Sequence, residues 1–152
     1  MTHKSPKIEA LLAQFEESTD FNRHYVGFFR CFNAQLYYEA HDVLEEVWLP
    51  IRGQAQARYY QGLIQMAGAF VHLQKGRLGP GARLFALALK NFEEYPERHS
   101  GIDLGAIRLL CRTRRQVLLD SGETINPWSK DRAPQLALPM PEFDDTAVKE
   151  SD

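Results

Sequence analysis

Residues 54–75 constrain this chain more than any other stretch, because they read as a helix that cannot face water. On a wheel of about 100° steps, Tyr59, Tyr60, Leu63, Ile64, Met66, Ala67, Phe70, Val71 and Leu73 cover most of the circumference. A helix that is apolar nearly all round is a buried one. A single sector of about 60° differs. It carries Arg58, Gln61, Gln65 and His72, with Gly68 and Ala69 beside them as small residues that admit a close neighbour. A buried amide or imidazole left unpaired costs about 1–3 kcal/mol. Another helix, water, a metal ion or a ligand must therefore answer this stripe.

Burying such a helix takes other helices, and the 152-residue chain has them. That length suits one domain and needs no metal or disulfide to build a core. Ser5 as N-cap and Pro6 open a first helix through Ile8, Leu11, Leu12 and Phe15. A second runs from about Asn22 to Asn33, and a third from Tyr37 to Trp48, stopped by Pro50. The fourth is the buried helix, about Gln54 to Lys75. Gly76 and Gly79-Pro80-Gly81 break the chain, and a fifth helix spans Pro80 to about Glu94. A sixth runs from an Asp103 cap to Asp120, ended by Gly122. Strand signals are weak throughout. The expected fold is all-α: five to six antiparallel helices, stacked as hairpins, over residues 1–125. Residues 126–152 form a Pro-rich extended tail. Its Leu136, Leu138, Met140 and Phe143 are suited to pack across the bundle or a partner subunit, and its last ten residues are acidic and expected to be disordered.

The third helix offers a complement to the polar stripe. Tyr37, Ala40, Val43, Leu44, Val47 and Trp48 form its apolar arc, with His41 at the edge and Glu45 one turn on. Asp42, Glu46 and Glu39 point progressively towards the opposite face. His41 and Glu45 are thus expected to look across at Gln65 and His72. Four readings of this cluster stand side by side. A satisfied buried network that fixes helix packing is the first. A divalent metal held by His41, Glu45 and His72 is the second, although the Glu-x-x-His pairs of di-iron bundles are missing. Catalysis with His41 as base, Glu45 orienting it and Gln65 binding a substrate oxygen is the third, with no nucleophile beside them. Ligand binding without chemistry is the fourth. Glu39 reads as a helix-start carboxylate, with Arg30 or Arg58 as its candidate partner.

These residues resemble the domain of unknown function 309 family. Phe32-Asn33-Ala34-Gln35-Leu36-Tyr37-Tyr38-Glu39-Ala40-His41-Asp42-Val43-Leu44-Glu45-Glu46-Val47-Trp48 is similar to its pattern Phe-Asn-x-Gly-x-Tyr-x-Glu-Ala-His-Glu-x-Leu-Glu-x-x-Trp. Gln61-Gly62-Leu63-Ile64-Gln65, then His72, then Gly81-Ala82 resembles a second block. The likeness covers about residues 21–120. It implies an all-α fold and carries no activity with it. The motif positions are Glu39, His41, Glu45, Trp48, Gln65 and His72, to which the stripe adds Gln61. Gln35 stands where the family has glycine, and Asp42 where it has glutamate.

Composition narrows the function classes. The net charge is −2, with 44% hydrophobic and 25% charged residues, so no global field draws the chain to nucleic acid or an acidic membrane. Arg108, Arg112 and Arg115 form a helical stripe, the one local hint of nucleic acid. Cys31 and Cys111 read as two buried hydrophobes. No apolar run approaches a membrane span of about 20 residues, and the N-terminus lacks a signal peptide's apolar core, so a cytoplasmic location is expected. The reading is a small helical binding or scaffold protein with a buried His/Glu/Gln cluster. It takes a protein or small-molecule ligand, and a homo-oligomer is compatible with it. The alternative is a metal-dependent, hydrolase-like enzyme built on the same cluster.

Overall fold

The computed structural model describes residues 5–13 and 22–141. The expected reach of the first helix to Phe15, the tail's Phe143 and the acidic last ten residues lie outside them. Within them are six α-helices: α1 (Ser5–Ala13), α2 (Arg23–Asn33), α3 (Tyr37–Trp48), α4 (Ala57–Gln74), α5 (Leu78–Phe92) and α6 (Leu104–Asp120). α4 packs against both α3 and α5, α2 lies against α3, and α6 against α5. The core is aromatic. Phe28, Phe29, Phe32, Tyr37, Tyr59, Phe70, Phe85 and Phe92 are fully buried, and Phe70 meets Phe32, Tyr37 and Phe85 ring to ring.

Helix ends follow local chemistry. Asn22 caps α2 by accepting from the His24 N–H at 2.7 Å, and Asp103 caps α6 by accepting from Ala106 at 3.0 Å. Three C-termini close alike. At α4 the Arg77 N–H reaches the His72 carbonyl and Gly76 takes φ +72. At α6, Glu123 N–H reaches Leu118 O, and Gly122 takes φ +61. At α2, Leu36 N–H reaches Cys31 O, and the left-handed position is Gln35 at φ +64. This bond pattern is the Schellman motif. Gln35 thus occupies the conformation that glycine would adopt without strain, and its side-chain amide is tied to the Lys130 carbonyl at 3.1 Å.

Three local expectations change. The fourth helix begins at Ala57 rather than Gln54, because the chain leaves α3 through a 3₁₀ turn (Leu49–Ile51) and a bend at Gly53, φ +90. The fifth begins at Leu78, with Pro80 inside its first turn, where a missing N–H costs nothing. A short hairpin also occurs: β1 (Arg98–His99) pairs antiparallel with β2 (Ile102–Asp103). Ser100 and Gly101 both have positive φ, +51 and +82, the conformation that two-residue hairpin turns require.

Residues 126–140 form no helix or strand apart from a 3₁₀ turn at Lys130–Arg132, and are hydrogen-bonded to other parts of their own chain. Asn126 donates to Leu73 O, and the Trp128 indole N–H donates to Tyr37 Oη at 3.0 Å. The Asn33 amide exchanges two hydrogen bonds with the Leu136 backbone, at 2.8 and 2.7 Å. Met140 N–H reaches Gly101 O. Leu136 and Leu138 pack on the core, whereas Met140 stays exposed. No helix among the described residues is long and apolar enough to cross a membrane.

Candidate functional site

The polar stripe of α4 is half-buried on a helix that is otherwise mostly buried, with Tyr60 and Val71, expected on the apolar circumference, also partly accessible. Arg58, Gln61, Gln65, Gly68 and His72 are partly accessible, while Tyr59, Leu63, Met66, Ala67, Ala69, Phe70 and Leu73 are buried. The hydrogen bonds that answer it come from α5 rather than from α3. Asn91 donates its amide to Gln65 Oε1 at 2.7 Å, and Arg58 donates to Asn91 Oδ1 at 3.2 Å and reaches Glu94 at 3.6 Å. The reason is proximity: the two helices flank one tight turn, and α5 lies along the stripe. The Gln61 side chain makes no hydrogen bond among the described residues.

α3 still reaches the stripe, across a cavity instead of through a bond. A pocket of about 350 Å³ is lined by Tyr38 and His41 from α3, by Gln65, Gly68 and His72 from α4, and by Leu84 from α5. Ile64 and Val71 complete its apolar wall, and Lys75 and Arg77 stand at the C-terminal end of α4. Three expected residues, His41, Gln65 and His72, thus share one cavity. Glu39, Glu45, Trp48 and Gln61 are not among its lining residues.

His41 is held from behind. Its Nδ1 lies 3.2 Å from Asp42 Oδ1, and Tyr38 stacks on the ring with an 11° interplanar angle. A carboxylate only accepts, so Nδ1 carries the hydrogen and Nε2 is left for other contacts. Asp42 is buried at 6% exposure, although the wheel turned it away from the arc. Together His41, Asp42 and Glu45 place one ligand atom each within 4.8 Å of one another. Asp42 thereby stands near His41 and Glu45 where His72 was the expected third ligand. His72 faces the pocket with its Nδ1 buried and unbonded among the described residues. Its pKa lies below the ordinary histidine value, first through burial and then through the positive charges of Arg77, Lys75 and Arg83.

Other candidates settle elsewhere. Glu39 forms no ion pair among the described residues, and Arg58 turns to α5. Trp48 packs against the core, with its indole N–H buried and the Arg52 guanidinium 5.9 Å from the ring centre. Arg108 donates to the carbonyls of Phe92 and Tyr95 and closes the end of α5. Arg112 and Arg115 line a second groove with Lys90 and Glu93. Both thiols are free and buried, and burial pushes each up to about 12, so neither is a thiolate nucleophile near neutral pH.

Residue spacing could have found two pocket groups that the wheel argument passed over. Tyr38 lies three residues before His41, and Lys75 three after His72, each on its partner's face of the helix. A further polar cluster had no such signal. Tyr25 Oη and Tyr59 Oη are 2.5 Å apart, the His99 ring lies against Tyr59 and Tyr95, and Gln56 bonds both His99 and Ser100. The hairpin brings these residues together from distant parts of the chain.

A family model described as a domain of unknown function (DUF309) matches residues 25–84. An uncharacterized protein of Aquifex aeolicus (strain VF5) is 36% identical over 76 residues, a stretch covering 50% of this chain and 23% of that relative. The segment matched by the family model, residues 25–84, carries both sequence blocks and every lining residue of the pocket. It stops short of α6 and the tail.

Proposed function

We propose, for a chain whose residues 25–84 carry the DUF309 signature, that it is a binding protein and that the cavity between α3, α4 and α5 is its binding site. The observation that carries this reading is convergence. His41, Gln65 and His72 come from two helices and line a single pocket of about 350 Å³, the size and mixed lining of a small-molecule site. In this reading the helices are antiparallel hairpins, supported by the short connections between α2, α3, α4 and α5. Rigid helices rather than loops then hold the polar groups.

Gly68 supplies the test. A Cβ built there lies 3.2 Å from Leu84 Cδ1, so a large side chain would fill the cavity. Screening a fragment library by NMR against the wild-type chain should yield binders that shift His41 and His72 resonances, and Gly68→Phe should lose them while keeping its cooperative melt. Fragments that bind only outside these residues would refute the site.

A second reading is a metal-dependent enzyme. It is favoured by the clustering of His41, Asp42 and Glu45 within 4.8 Å, a His-carboxylate set suited to a divalent ion. Elemental analysis of protein purified without chelator tests it. Stoichiometric metal that disappears in His41→Ala supports the enzyme, and metal-free protein with an unchanged melt in excess chelator ends it.

A further inference from the structure

On the binding reading above, we infer that the α3–α4–α5 pocket takes a small amphipathic anion: one carboxylate or phosphate group carried on a short apolar body. The lining divides accordingly. Ile64, Val71 and Leu84 form an apolar wall, and Gly68 leaves room against Leu84 that a methyl group would crowd. Among the described residues no carboxylate lines the cavity, and the two full charges that do, Lys75 and Arg77, are both positive. The apolar wall calls for a body to bury, and the cations call for an acceptor of opposite charge.

Gln65 adds direction. Its Oε1 already accepts from Asn91 at 2.7 Å. Its amide hydrogens have no bond to protein among the described residues, so the group offers donors to the cavity it lines. About two turns further along the same stripe, the His72 ring lines the same cavity. Lys75 and Arg77 complement the negative end of the α4 dipole in any case. That role explains their sign, but not the donor left open at Gln65.

The test uses the full chain, with histidine-ring and glutamine-amide resonances followed by NMR. Four probes are titrated: octanoate, octanamide, octylamine and inorganic phosphate. Octanoate is expected to shift Gln65 and His72 signals and to bind about tenfold or more tighter than octanamide. The Lys75→Glu/Arg77→Glu variant, changed at two exposed positions and checked for an unaltered melt, should lower octanoate affinity about tenfold and leave octanamide unaffected. Inorganic phosphate should bind more weakly than octanoate, since it has no body to bury. Octanamide or octylamine binding as tightly as octanoate at these residues would overturn the anion while leaving the pocket as a binding site. Phosphate binding as tightly as octanoate would overturn the apolar body. If no probe moves His41, Gln65 or His72, the inference falls together with the reading it rests on.

Discussion

The Asn91 amide on α5 donates to Gln65 Oε1 on α4 at 2.7 Å, and the same Asn91 accepts from Arg58, about two turns earlier on the stripe. This small network, rather than a bond to α3, holds the polar sector of the central helix. Asn91→Leu should therefore cost about 1–3 kcal/mol, because Gln65 loses its partner in a half-buried setting. Gln61→Ala, on the same sector but without a side-chain hydrogen bond among the described residues, should cost less than about 0.5 kcal/mol. Urea melts of the two variants make the comparison. Equal losses would mean that the network contributes nothing to stability.

His72 should make stability depend on pH. Its folded-state pKa is lowered by burial and by Arg77, Lys75 and Arg83, so the unfolded chain takes up this proton at higher pH than the folded one. Where the unfolded state binds more protons, stability falls as the pH falls. The loss begins as pH drops through the ordinary value of 6.5 and levels off below the folded-state pKa. In His72→Gln that step should vanish. Denaturant midpoints measured across this range for both proteins decide it, and superimposable curves would assign the slope to another group.

Gly62 tests how tightly α4 and α5 meet. A Cβ built there would lie 2.5 Å from Phe92 Cε1, and that ring is fully buried. Gly62→Ala would normally favour a helix. Here it should destabilise by about 1–3 kcal/mol through overpacking. A thermal melt at or above the wild-type temperature would show that the interface is looser than this contact implies.

Asn33 pins the tail. Its side chain donates to Leu136 O and accepts from Leu136 N–H, as a strand neighbour would. Asn33→Ala should release this segment, with faster amide exchange at Leu136 and earlier proteolytic cleavage near it. Trp128 should stay docked, because its bond to Tyr37 is independent. Unchanged exchange at Leu136 would mean that Leu136 and Leu138 packing alone holds the segment.

The helices were legible because their signals are local. Periodic apolar residues, the Asp103 cap and Gly76 and Gly122 at helix ends act within a turn or two of chain, and the structure places α2, α3 and α6 within a residue or so of the sequence reading. The buried character of residues 57–74 was legible for the same reason, as was the sector holding Gln65 and His72. The Ser100–Gly101 hairpin was not, because its turn lacks the usual Asn-Gly signal and its strands are two residues each.

Sequence alone determined most of the residues that avoid water and the bounds of α2, α3 and α6, since covalent spacing and backbone chemistry decide both. It did not determine what those residues meet. Only the packing of α5 along α4 gave Gln65 to Asn91, opened the cavity between His41 and His72, and buried Asp42 beside His41. Such contacts depend on which helix face approaches which, and on gaps left by Gly68 and filled by Phe92, so they are a property of the whole packed core rather than of any segment.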